Sequence, residues 1–151
     1  MRKLYLASFL LLSLTTTLVV TACGEEDRGG GTLDIDLSDW AVAPNLASLP
    51  AGDITFNIKN LSQEHDHELV IIRTDLAPEE LPTESDRSVD QGAGGVDVVG
   101  KIREIGPGED SSGTFTLKAG RYVLICNLVD EHDGQTVSHY QEGMRVPFTA
   151  E

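Results

Sequence analysis

The residues of this chain that are best suited to bind a soft metal ion lie in two short segments. Residues 60–70 and 122–144 contain all four histidines, and the second segment also contains Cys126 and Met144. Apart from Met1 and Cys23, the chain has no other methionine or cysteine. Two imidazoles, a thiolate and a weak axial thioether form a ligand set for copper, because sulfur suits Cu(I) and imidazole serves both oxidation states. The two segments therefore predict a copper site.

The sequence around these residues has the pattern of β-strands. Residues 32–37 and 53–60 alternate apolar and polar side chains, as strands with one buried face do. Residues 68–73 form a short apolar run that suits a strand in the core of a sandwich. Strands are predicted at 32–37, 53–60, 68–73, 96–105, 114–117, 122–126 and 144–148. Seven or eight short strands with regular turn signals indicate an all-β protein, an antiparallel sandwich of two sheets.

The order and spacing of the candidate ligands resemble those of the plastocyanin-type cupredoxins, the blue copper proteins. In that family a segment like residues 119–126 delivers the thiolate, and a segment like 139–144 delivers an imidazole and an axial sulfur. The resemblance implies a Greek-key sandwich that binds one type 1 copper ion. It also implies that electrons pass through a partly exposed edge of one histidine, here His139. The ligand set that it implies is His67, Cys126, His139 and Met144.

The chain departs from the family between the thiolate and the second histidine. Twelve residues separate Cys126 from His139, where the family usually has only a few. These residues, 127–138, include an acidic stretch and are predicted to be an exposed insertion. His132 lies closer to Cys126 and is an alternative ligand. His139 is favoured because it alone has the expected four-residue spacing to Met144.

Two residues close to His67 raise further alternatives. Glu68 stands where many members of the family have an asparagine that connects the two ligand loops, and hydrogen bonds of that kind orient metal ligands. Asn127, directly after the thiolate, is the alternative for that role. His65, in an acidic stretch, is predicted to be a solvated loop residue, with a second, weaker metal site as the alternative.

The first 31 residues are predicted to lie outside the folded domain. Residues 1–22 have a basic start, an apolar run that is short for a bilayer span of ~20 residues, and a small residue at the end, as a secretory signal peptide does. Residues 19–23 resemble the lipobox of bacterial lipoproteins, which implies that Cys23 is lipidated. Residues 23–31 are then a lipidated, flexible linker, and residues 32–151 form one cupredoxin-like domain. We expect an extracytoplasmic or periplasmic protein anchored to the outer face of the cell membrane.

The charge of the chain restricts its partners. The net charge of −14 becomes −16 when Arg2 and Lys3 leave with the signal peptide. An acidic domain repels nucleic acid and attracts a basic partner at low salt. No nucleophile elbow or phosphate loop is present in the sequence, so we do not expect an enzyme.

We expect a monomeric carrier of single electrons between redox proteins, such as a c-type cytochrome or a terminal oxidase. The first alternative is a copper-binding lipoprotein for copper storage, delivery or sensing. The second alternative is a metal-free interaction lipoprotein.

Overall fold

The computed structural model describes residues 29–132 and 134–151. Within them the chain forms eleven strands and one short helix, α1 (His139–Glu142). The strands are β1 (Gly31–Ser38), β2 (Ala41–Pro44), β3 (Ser48–Leu49), β4 (Gly52–Asn60), β5 (His67–Arg73), β6 (Asp97–Ile105), β7 (Asp110–Leu117), β8 (Gly120–Ile125), β9 (Val129–His132), β10 (Gln135–Ser138) and β11 (Arg145–Ala150). No helix in the described residues is long and apolar enough to cross a membrane.

Two sheets form the sandwich. One has the strand order β2-β1-β4-β7, and the other has the order β3-β11-β8-β5-β6. β9 and β10 pair with each other as a separate hairpin. The predicted all-β sandwich is therefore confirmed. The predicted lipidation site at Cys23, the signal peptide and most of the linker lie outside the described residues.

The number and direction of the strands differ from the prediction of seven or eight antiparallel strands. β1 runs parallel to β4, and β3 runs parallel to β11. After β1 the chain turns back in β2 and crosses to the other sheet in β3, so β4 returns in the direction of β1. Side chains alternate with the same period in parallel and antiparallel strands, and this pattern cannot give strand direction. The strands missed by the prediction are short: β2, β3, β9 and β10 have two to four residues each.

The alternating strands place their apolar side chains between the two sheets. Leu33, Ile35 and Leu37 of β1 are at most 1% exposed, and the inward residues of β4 are at most 2% exposed. They pack against residues from the facing sheet, which include Leu69, Ile71, Leu124 and Phe148. The period of two in the sequence therefore reflects one buried face and one exposed face.

β5 and β8 are buried on both faces, which explains why their sequences are continuous apolar runs. Their outward residues are Val70, Ile72, Val123 and Ile125, and these pack against Leu81, Val89 and Tyr140. Leu81 and Val89 belong to the irregular segment 74–96, and Tyr140 belongs to α1. The hydroxyl of Tyr140 donates a hydrogen bond to the carbonyl of Pro78 at 2.7 Å, which connects α1 to that segment. The two strands that carry candidate ligands are thus fixed from both sides.

Candidate metal centre

Strand register brings three of the four predicted ligands to one end of the five-stranded sheet. β5 and β8 are antiparallel with Val70 opposite Ile125, so His67 at the start of β5 lies beside Cys126, directly after β8. The backbone N–H of Glu68 donates to Sγ of Cys126 at 3.4 Å. β11 flanks the other side of β8, and the N–H of Cys126 donates to the carbonyl of Met144 at 3.1 Å.

The short helix α1 delivers His139 to the same place. The N–H of His139 donates to the carbonyl of Leu128 at 3.0 Å, and Oγ of Ser138 caps the helix by accepting from the N–H of Gln141 at 3.4 Å. The N–H of Met144 donates back to the carbonyl of His139 at 3.0 Å. This bond closes the turn between the two residues, which gives the four-residue spacing in the sequence a structural reason.

Three donor atoms meet at this point. Nδ1 of His67 and Nδ1 of His139 are 3.3 Å apart, and Sγ of Cys126 lies 3.8 Å from the first and 3.3 Å from the second. A circle through three atoms at those separations has a radius of about 2.0 Å, within the ~2.0–2.3 Å range of nitrogen and thiolate bonds to Zn²⁺, another d-block ion. A metal ion of similar size therefore fits among the three atoms as they stand.

The three residues are fully buried, and burial shifts the pKa of two of them, Cys126 and His67, in the metal-free protein. Burial raises the pKa of the Cys126 thiol to about 12. Burial, together with the neighbouring His139, lowers the pKa of His67 from 6.5 to about 4. At neutral pH His67 is thus a neutral imidazole that is ready to bind a cation, whereas Cys126 must lose its proton when a metal binds.

The other sequence candidates occupy different positions. Met144 is fully buried beside Cys126, at the end of the turn that starts at His139. His132 is the last residue of β9 and pairs with Gln135 at the tip of the hairpin. The side chain of His132 is not among those that the structure describes. The structure thus brings His67, Cys126 and His139 together and places Met144 next to them.

No family model matches the chain, and no curated protein sequence matches it. Several solved structures do match the chain. Dithionite-reduced auracyanin from Roseiflexus castenholzii has a TM-score of 0.56 and 21% identity, over 80% of this chain and 96% of that one. An azurin from Methylomonas sp. strain J has a TM-score of 0.51 and 20% identity, over 80% and 97%. Auracyanin A from Chloroflexus aurantiacus, a "blue" copper protein, has a TM-score of 0.51 and 18% identity, over 82% and 100%. The chain has the cupredoxin fold.

In this cupredoxin fold the hairpin of β9 and β10 lies over the metal centre. His139 is 0% exposed. Its Nε2 lies 3.0 Å from Oδ2 of Asp130 on β9, and its ring meets that of Trp40 edge-on, with 5.3 Å between centroids. The expectation that His139 has a partly exposed edge is therefore wrong. The predicted exposed insertion is exposed at Glu131, Gly134 and Gln135, but its other described residues are half-buried or buried, and Asp130 returns a carboxylate to His139.

His65 belongs to the same cover and is not the solvated loop residue that we expected. Its side chain is 26% exposed, and its Nδ1 lies 3.2 Å from Oδ2 of Asp130. His65, Asp130 and His139 are close enough to hold a metal ion, but a carboxylate that accepts hydrogen bonds from two imidazoles accounts for both distances. Burial alone would raise the pKa of Asp130, but the hydrogen bonds from His139 and His65 outweigh this effect and hold that pKa below its usual range.

Asn60 fixes the loop that precedes His67, and the sequence prediction missed it. Its amide donates at 2.9 Å to the carbonyls of His65 and Ile105, and its Oδ1 accepts from the N–H of Ser62 at 2.9 Å. A signal for this role was present, because Asn60 is a polar residue at an inward position of an alternating strand. Asn127 does not connect the ligand loops, since its side chain bonds the backbone of Val89.

Proposed function

We propose that the chain is a type 1 copper protein that carries single electrons. The observation that carries this proposal is the meeting of two Nδ1 atoms and one Sγ within 3.3–3.8 Å in the fully buried set His67, Cys126 and His139. These donors form the trigonal set of blue copper, and Met144 is the proposed weak axial ligand. Copper, when bound, supplies a couple between Cu(II) and Cu(I).

The protein supports this role by holding the donors rigidly. His67 and Cys126 are attached to strands that are buried on both faces, and the N–H of Glu68 is directed at the sulfur. A fixed donor geometry lets the charge of a bound ion change with little movement of its ligands. The hydrogen bond to sulfur stabilises the thiolate after it has lost its proton.

The burial of the donors favours electron transfer over copper storage or delivery. His67, Cys126 and His139 are each 0% exposed, and the hairpin and Trp40 cover His139. A metal held beneath such a cover exchanges slowly, and a substrate has no direct approach to it. Electrons, in contrast, need no open channel. We therefore propose a carrier rather than an enzyme or a copper donor.

The surface around the cover supports a basic redox partner. Segments 39–43, 61–66 and 127–138, which surround His139, contain no Lys or Arg. Asp39, Glu64 and Asp66 in these segments are exposed. Negative charge there steers a positively charged protein towards the metal centre. We propose an extracytoplasmic location with a lipid anchor on Cys23, and a partner such as a c-type cytochrome or a terminal oxidase.

The test is a visible absorption and EPR spectrum after addition of Cu(II), with Cys126→Ser, His139→Ala and His132→Ala as variants. We expect an intense thiolate-to-copper band and narrow copper hyperfine splitting. Both are expected to disappear in Cys126→Ser and His139→Ala and to remain in His132→Ala. Loss in His132→Ala with retention in His139→Ala would move the ligand to His132. A wild-type protein with no thiolate band would refute the electron-carrier proposal.

A further inference from the structure

We propose that Asp130 is a positioning residue that holds His139 in the tautomer and orientation needed to bind copper. In this arrangement Oδ2 of Asp130 accepts a hydrogen bond from Nε2–H of His139, which leaves Nδ1 without a proton. The inference rests on the proposed function, because it takes Nδ1 of His139 as a copper ligand.

The two ring nitrogens of His139 face different groups. Nδ1 points into the centre, 3.3 Å from Sγ of Cys126, and Nε2 points out of it, 3.0 Å from the carboxylate. A neutral imidazole has one proton, and an ionised carboxylate can only accept a hydrogen bond. The carboxylate therefore places the proton on Nε2. The lone pair of Nδ1 is then free and directed at the metal position, and the hydrogen bond also makes Nδ1 a more basic donor.

Asp130 is itself held in place. It lies in β9, paired with Val137 of β10, and it accepts a second hydrogen bond from Nδ1 of His65 at 3.2 Å. The ring of Trp40 packs against the rings of both His65 and His139, with 5.3 Å between centroids in each case. The imidazole of His139 is thus fixed at one nitrogen by the carboxylate and along its edge by an aromatic ring. A half-turn of the ring would put carbon atoms in the places of Nδ1 and Nε2, and it would break the hydrogen bond to the carboxylate.

His67 has no comparable anchor. Its Nε2 has no hydrogen-bond partner within the described part of the chain, and Oδ1 of Asp39 lies 3.9 Å away, beyond hydrogen-bond distance. His67 opens a strand that is buried on both faces, whereas His139 opens a helix of four residues next to the hairpin. Asp130 of the insertion therefore holds the His139 ring in place, which the short helix alone does not do.

The experiment compares Asp130→Ala and Asp130→Asn with Glu131→Ala in the full chain. Glu131 is an exposed neighbour on the same strand, and its carboxylate accepts from Oγ1 of Thr136 rather than from a ligand. The first measurement is long-range proton–nitrogen correlation NMR of the metal-free protein, which identifies the protonated nitrogen of each imidazole. The second measurement is Cu(II) affinity, by competition with a chromophoric chelator.

In the wild type we expect the His139 proton on Nε2. Asp130→Ala should lose this preference and bind Cu(II) ~10–100-fold more weakly, the usual cost of removing an outer partner of a metal ligand. Asp130→Asn should keep the tautomer, because its amide oxygen still accepts from Nε2–H. Glu131→Ala should match the wild type in both measurements.

Two results would overturn the inference. One is an Asp130→Ala variant that keeps the Nε2–H tautomer and full copper affinity. The other is an equal loss in Glu131→Ala, which would attribute the effect to the hairpin as a whole. The tautomer is measured without metal, so it remains informative if the wild type forms no blue copper site. Failure of the proposed function and failure of this inference are thus distinguishable.

Discussion

Replacing Asn60 with alanine should destabilise the fold and loosen the loop in front of His67. Asn60 is fully buried at the end of β4, and its side chain makes three hydrogen bonds to backbone groups. Alanine removes all three bonds at once. The carbonyl of Ile105 and the N–H of Ser62 are buried partners, whereas the carbonyl of His65 is only partly buried and can turn to water.

The magnitude follows from the two buried partners. A buried backbone group that loses its partner costs ~1–3 kcal/mol, so the pair gives a loss of about 2–6 kcal/mol in the free energy of unfolding, and we take about 3 kcal/mol as the expected value. For a domain of this size that loss lowers the melting temperature by roughly 10–15 °C. The variant Asn60→Asp keeps an acceptor for Ser62 but loses both donors and buries a charge, so it should be at least as unstable.

The assay is thermal and urea unfolding of the metal-free protein, followed by circular dichroism. Asn57→Ala is the matched control, because Asn57 is an exposed residue on the same strand whose amide donates to Oδ1 of Asp34 at 2.9 Å. Its loss should change the free energy of unfolding by less than ~0.5 kcal/mol. Equal losses in the Asn57 and Asn60 variants would refute the reasoning, as would a loss below ~1 kcal/mol for Asn60→Ala.

Three further outcomes are expected. Gly143→Ala should lower the free energy of unfolding by ~1–3 kcal/mol and weaken copper binding, because the glycine has φ of 127° and a Cβ would lie 2.9 Å from the carbonyl oxygen of Trp40. The control is Gly134→Ala, which is also at positive φ but in open space. In urea unfolding it should lower the free energy of unfolding by less. The metal-free protein should lose up to ~3 kcal/mol of stability as pH falls from about 6.5 to about 4. Over this range His67 is protonated in the unfolded chain but not in the folded protein, where burial lowers its pKa to about 4, so acid favours unfolding. An unchanged pH profile in His67→Gln would contradict this. Electron transfer to the basic protein cytochrome c should slow as ionic strength rises, and equal rates at low and high salt would exclude the proposed docking charge.

The predicted strands agree with the structure where one physical cause dominates the sequence. β1 and β4 alternate because each has one buried face, and β5 is continuously apolar because both of its faces are buried. The candidate donor types were also readable, because donor chemistry restricts the choice to histidine, cysteine and methionine, and the structure brings His67, Cys126 and His139 together. The all-β sandwich follows from these patterns, together with the glycine and proline turns, but the direction of the strands and the four short strands do not.

The cover over His139 was not readable from the sequence, because it depends on one unusual turn and on a hairpin of two short strands. β1 and β2 are joined by Asp39 and Trp40, and Trp40 has φ of 67°, a conformation that hairpin turns normally give to glycine or asparagine. β9 and β10 are short polar strands without apolar alternation. Their pairing shows only in the folded chain, where Asp130 returns to a histidine nine residues further along.

The strained turn at Trp40 bears on how the proposed carrier works. A non-glycine residue at positive φ costs ~1–3 kcal/mol and persists only where its surroundings fix it. Here the Trp40 ring contacts both His65 and His139, and its carbonyl lies against Gly143, between two of the proposed ligands. These contacts therefore hold the strained turn, and the turn places an aromatic ring over His139. In the proposed carrier a redox partner would contact this cover rather than His139, so the acidic residues around the cover would determine association and the buried donors would determine the redox chemistry.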